Sequence, residues 1–265
     1  MMKIMEKSIP SFIIVFLITF LIATALTAIF QSIFNLFAPN LNSFLAMIVV
    51  GLIIGILYIY IFKINDLFSF SNSKMALILL SPSIIFIISN MLDIGFAIPT
   101  TAIGLVTVII SGFGPGIFEE VMFRGIVISY LMKFFRSSKY IIAIVFVSAL
   151  IFGIVHLFNG LLGAPVDFTI FQFFYSFAMA VLFGAVYLRT GNLWVPIILH
   201  SINDIFAFCC TSINVDGIST VGFTLDLVSI IIIIASIISI ILGFYYVRSS
   251  KHDDIIKVWN EKWAN

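Results

Sequence analysis

Over 265 residues, 62% apolar and only 9% charged side chains, with a mean hydropathy of +1.26, exclude an ordinary soluble domain. A formal charge of +1, with no basic patch interleaved with aromatics, gives no reason to expect nucleic acid as a partner. Apolar stretches of about 20 residues recur from end to end, without the short alternating strands of a barrel. The expected class is therefore an all-α polytopic protein embedded in the lipid bilayer.

The first apolar stretch, 9–37, follows Lys3 and Lys7 as a signal sequence would. Its apolar part is too long for a cleaved signal and no small-residue site closes it, so it is read as a retained first span. Further spans are expected at 43–62, 75–92, 97–135, 139–158, 168–188, 193–212 and 224–247. As one straight helix the fourth would measure roughly 55 Å against a hydrocarbon core of about 30 Å. The sequence GFGPG at 112–116 is expected to break it, leaving 98–113 as a partial or steeply tilted helix.

Counting one net crossing in that stretch gives eight spans, and with a cytoplasmic N-terminus every lysine and arginine except Arg124 falls on the cytoplasmic side. The opposite loops, 38–42, 93–97, 159–167 and 213–223, contain none. Both termini are therefore expected in the cytoplasm. No linker or repeat divides the chain, so 1–265 is expected to form one membrane domain. Its tail, 248–265, is read as an interfacial helix with Trp259 and Trp263 on the lipid headgroups and His252 at the surface. Cys209 and Cys210, adjacent within an apolar helix, suggest neither a disulfide nor a thiol metal site.

Six ionisable groups are left deep within spans: Glu119, Glu120, Arg124, His156, His200 and Asp204. Counted from the basic end of each helix at about 1.5 Å per residue, Glu120 lies roughly 24 Å in, His156 about 26 Å and Asp204 about 22 Å. His200 stands one turn from Asp204 on the same helix face. Singly, each has a structural account: Glu120 and Arg124 at i, i+4 form a pair, and a lone intramembrane histidine often bonds a neighbouring helix. Together, their common depth favours one polar cavity. There Arg124 would neutralise Glu120 while Glu119 turns toward the histidines, a set suited to activating water. Two arrangements are open: His200 and its partner face a developing oxyanion, or Glu119, His156 and His200 ligate a zinc ion.

Three motifs stand in order on separate spans: EExxxR as Glu119–Arg124, FxxxH as Phe152–His156, and HxxxN/D as His200–Asp204. Over roughly 97–212 the chain thereby resembles the CPBP family, the CAAX prenyl protease and bacteriocin-processing (Abi) intramembrane peptidases. The resemblance implies a membrane-embedded endopeptidase in which Glu119 and His156 activate water, while His200 and Asp204 stabilise the oxyanion. CAAX proteases of eukaryotes carry asparagine at the last place. Here an ionised Asp204 has no hydrogen to donate, so either it is protonated, or it orients His200, or Asn203 donates instead. The resemblance leaves both a zinc-dependent and a metal-free glutamate mechanism open.

No HExxH, rhomboid-type GxSG or presenilin-type GxGD motif is present. The partner implied is a membrane-associated peptide: a prenylated C-terminus, or a bacteriocin, pheromone or leader peptide. The short chain without long appended loops points to a bacterial plasma membrane. Two alternatives use the same fold without proteolysis: a bacteriocin self-immunity or scaffold protein, and, lower in rank, a coupled transporter.

Overall fold

The structure, a computed structural model, describes residues 9–62, 67–135, 137–211, 213 and 218–262. Trp263 and Lys63 lie outside the described residues. In chain order the helices are α1 (Ile9–Phe34), α2 (Asn42–Phe62), α3 (Ser73–Met91), α4 (Ala102–Phe134), α5 (Ser138–Leu162), α6 (Val166–Thr190), α7 (Trp194–Ala207), α8 (Leu227–Tyr246) and α9 (His252–Lys262). Among the described residues, α1 to α6 and α8 are long and apolar enough to cross a membrane. The protein is thus all-α and polytopic, an integral membrane protein. The span expected at 193–212 is helical only over Trp194–Ala207. Beyond it the chain leaves the helix through a turn at Phe208 and Cys209: Phe96 bridges to Cys210, and Ala97 N–H donates to Cys209 O at 2.9 Å.

Burial is uneven, and it identifies the centre. In α6, 61% of the apolar window is buried, against 11% in α1, whose Ile14, Leu17 and Leu21 face outward as lipid-contacting side chains do. Around α6 pack α5 and α8, while α4 lies between α2 and α7. The core formed there includes Val121, Phe123, Phe152 and Tyr187.

GFGPG does not break α4: the helix runs on through Pro115. Its glycines serve packing instead. A Cβ on Gly112 would lie 2.6 Å from Ser201 O and Ile205 N, and one on Gly116 2.9 Å from Ser201 N, all on α7. Small residues four apart therefore let the two backbones touch, as they do between membrane helices generally. The irregularity falls later, where Glu120–Ile128 adopts a wide π-helical form, buried throughout. Hydroxyls from neighbouring helices donate to its carbonyls: Ser148 to Phe123 O at 2.9 Å and Tyr58 to Ile126 O at 3.2 Å. They supply partners to backbone groups that the altered winding leaves available.

The tail also departs from expectation. Helix α9 packs against the end of α6. Trp259 is fully buried, its indole N–H donating to Leu188 O at 2.9 Å. His252 is buried too, and donates from Nε2 to Val247 O at 2.9 Å. An i, i+4 pattern fitting a headgroup layer fits equally well a groove between helix ends, and here the groove is occupied.

Candidate active site

The close approach of α4 and α7 decides where the ionisable groups meet. Glu119 ends the α-helical part of α4, Glu120 and Arg124 open the π segment, and His200, Asn203 and Asp204 stand on α7. His156 is the last α-helical residue of α5 before a 3-10 turn. Glu119, His156, His200, Asn203 and Asp204 all line one cavity of about 380 Å³. The common depth read from the sequence corresponds to a common space.

Glu119 and Glu120, neighbours in sequence, are separated by environment. Glu120 and Arg124 are fully buried, whereas the Glu119 and Asp204 side chains keep 23% and 18% exposure. Arg124 Nη1 lies 2.9 Å from Glu120 Oε1, an ion pair at contact distance but off the best hydrogen-bond direction. The guanidinium also sits over the Phe152 ring, 4.4 Å from its centroid, and near that of Phe183 at 5.7 Å. The two rings offer their π faces to a cation removed from water. The pairing of Glu120 with Arg124 expected from the sequence is present.

Glu120 has a second partner that sequence spacing did not reveal. Its Oε1 also accepts from His200 Nδ1 at 2.8 Å, so the buried carboxylate fixes the ring of a histidine eighty positions away. The Nε2 edge of His200 then faces the cavity, 3.5 Å from Asp204 Oδ2 and 3.8 Å from Glu119 Oε2. His156 is set by the opposite device. Its Nδ1 lies 2.8 Å from Phe152 O; a carbonyl only accepts, so Nδ1 carries the hydrogen and Nε2 of the neutral ring is the free acceptor. Phe152, fully buried, touches the Arg124 guanidinium and both imidazoles, with ring centroids 4.6 Å from His156 and 6.1 Å from His200.

Asn203 is held on both sides. Its Oδ1 accepts from Asn90 Nδ2 at 3.2 Å, and its own Nδ2 donates to Asp204 Oδ1 at 3.3 Å. Asn90 on α3 was not singled out from the sequence; the available signal was a carboxamide inside an apolar span. Among the described residues, no group of three or more His, Cys, Asp or Glu is arranged to hold a metal ion. The zinc set Glu119, His156 and His200 therefore gains no support from the geometry.

A helical bundle enclosing carboxylate and imidazole groups in a cavity among apolar spans defines a class: polytopic membrane proteins with a buried polar centre. Residues 100–206 match the family described as type II CAAX prenyl endopeptidase Rce1-like. The matched segment contains all three motifs, and the CPBP resemblance read from them is borne out there. Together the match and the spans support a membrane protease as the kind of function. No curated protein and no solved structure matches the chain significantly.

Proposed function

We propose that the protein is an intramembrane endopeptidase that cleaves a membrane-associated peptide with water activated by Glu119 and His156. The observation that carries this reading is the convergence of Glu119, His156, His200 and Asp204 from three helices on one cavity. In the proposed reaction, water oxygen attacks the scissile carbonyl while Glu119 takes its proton, helped by the free Nε2 of His156. Because Nδ1 of His200 already donates to Glu120, only the doubly protonated ring has an Nε2–H to offer the developing oxyanion, and in the proposed reaction His200 acts in that form. The tetrahedral intermediate then collapses, the C–N bond breaks, and the proton passes to the leaving nitrogen.

Of the three roles open to Asp204, orienting His200 suits the distances best, since Asn203 is already engaged by Asn90 and Asp204. Glu120 and Arg124 act as positioning residues: neither lines the cavity, and Glu120 holds His200 by its far nitrogen. The chain sits in a bacterial plasma membrane with both termini in the cytoplasm, and its substrate is a bacteriocin, pheromone or leader peptide, with a prenylated C-terminus as the alternative.

The test compares peptides released by cells carrying the wild-type chain, Glu119→Ala or His156→Ala at matched protein levels. Removing a general base is expected to slow release by about 10²-fold or more. Release at the normal rate by either variant would sink the proposal, and peptide-independent protection retained by both would favour the immunity reading.

A further inference from the structure

The cavity carries a charge pattern that the reaction itself does not require. Besides Glu119 and Asp204, its walls include Asp93 and Asp226, and among the described residues no lysine or arginine lines it. Asp167 stands beside them, accepting from Phe223 N–H at 3.0 Å and so holding one wall in place. Among the described residues, Asp93, Asp167 and Asp226 have no cationic partner. Their hydrogen bonds come from neutral donors: Gly95 N–H to Asp93 at 2.7 Å, and Ser229 N–H and Thr224 hydroxyl to Asp226 at 2.8 and 3.1 Å. These contacts fix the carboxylates without cancelling their charge. The Arg124 guanidinium is shut behind Glu120 and Phe152.

The described lysines and arginines other than Arg124 lie toward the other end. Arg189 bonds Tyr246 O, Asn72 beside Lys74 bonds Thr190 O, and Lys139 opens α5 at that same end. The described cavity-wall residues between 208 and 226 include no basic side chain. Phe44, Phe168, Phe171, Phe208 and Phe223 also line the cavity. An aromatic sleeve with a carboxylate rim attracts cations both by field and by ring faces.

We propose that the substrate is a cationic peptide with an apolar segment, reaching the cavity from the non-cytoplasmic face of the membrane. This rests on the endopeptidase reading for its chemistry and on the positive-inside tendency for its side. Lysine or arginine flanks meet Asp93 and Asp226 while the apolar segment lies along the phenylalanines, presenting its backbone to Glu119.

The experiment uses the purified chain in phosphatidylcholine vesicles, which carry no net lipid charge, and two quenched fluorescent peptides sharing one apolar segment flanked by four lysines or by four glutamates. Binding is read on His156→Ala, which keeps every cavity carboxylate, and cleavage on the wild type. The lysine peptide is expected to bind at least about tenfold more tightly at low ionic strength, with the gap shrinking in about 0.5 M salt. Asp93→Asn with Asp226→Asn, which retains a capping side chain at 226, is expected to remove most of that preference, the loss in cleavage falling on KM. Equal or tighter binding of the glutamate peptide, or a preference untouched by the double variant, overturns the inference. Charge-selective binding without cleavage would instead count against the endopeptidase reading alone. For sidedness, Asp226→Cys is introduced with Cys209 and Cys210 replaced by serine. A membrane-impermeant maleimide is expected to label it in intact cells, and labelling only after permeabilisation overturns the proposed direction of approach.

Discussion

The two ends of the helical bundle are finished in opposite ways. At one, Trp259 of α9 is inserted against α6 with its ring 5.4 Å from that of Tyr187, and Asn192 bonds both Ser71 O and Ser73 Oγ, so loops and tail lock together. At the other, the loops part around a cavity whose rim holds Asp93 and Asp226. Polar groups are spent on cohesion at the first end and left turned toward open space at the second. A membrane bundle gains little from hydrophobic association between helices in lipid; contacts such as those at the closed end allow the other end to remain hollow.

The sharpest way to break the contrast is at the boundary between the two ends, where Glu120 backs the cavity. Glu120→Ala leaves the Arg124 guanidinium without its counter-ion and His200 without its anchor. A destabilisation of about 3–5 kcal/mol is expected, read as a fall in detergent melting temperature, and Glu120→Gln should recover part of it by still accepting from His200. Next comes Trp259→Ala, expected to cost about 3 kcal/mol through the void it leaves. Its loss should appear in melting temperature and not in the KM of any cleaved peptide, because Trp259 lies away from the cavity. Movement of both together would mean that the ends are coupled.

Gly116→Ala tests the contact that joins α4 to α7. Its Cβ meets Ser201, and overpacking of this kind costs about 1–3 kcal/mol. Because the shift would separate Glu119 from His200, cleavage should fall further than stability alone explains; a variant of normal melting temperature and normal rate would refute this account of the glycines. The smallest effect belongs to Asp226→Ala, which removes the side chain capping α8 through Ser229 N–H and should cost about 1 kcal/mol. The same bond holds the Asp226 carboxyl below the usual aspartate range. A depressed native pKa contributes stability above the unfolded value of about 3.9, which is lost as pH falls through the native one. The difference between wild type and Asp226→Ala should accordingly persist at neutral pH and narrow only in acid.

Much of the candidate site was legible because few residues in so apolar a chain can ionise. Glu119, His156, His200 and Asp204 stand out against their surroundings, and counting residues from the basic helix ends placed them at one level. The Glu120–Arg124 pair followed from helical spacing. The Glu120–His200 bond did not, since it depends on how closely two helices approach, and that is set by Gly112 and Gly116. Those glycines were read with Pro115 as a break, although their spacing of four is equally a packing signature; in lipid, where the helix cannot easily give up its backbone bonds, packing prevailed. The burial of Trp259 and His252 was hidden for another reason: amphipathic spacing reveals that a face is covered without revealing whether lipid or protein covers it.

The π winding of Glu120–Ile128 makes the chain sensitive to length as well as to chemistry. Loss of one residue among Val121, Met122 and Phe123 would let ordinary helical winding resume, and everything after the gap would turn by about 100°. Arg124 would swing away from Glu120, and the carbonyls now served by Ser148 and Tyr58 would pass out of their reach. Substitutions between apolar residues in this stretch should be borne with ease, whereas a one-residue deletion should abolish the folded centre even though no charged or imidazole side chain is removed.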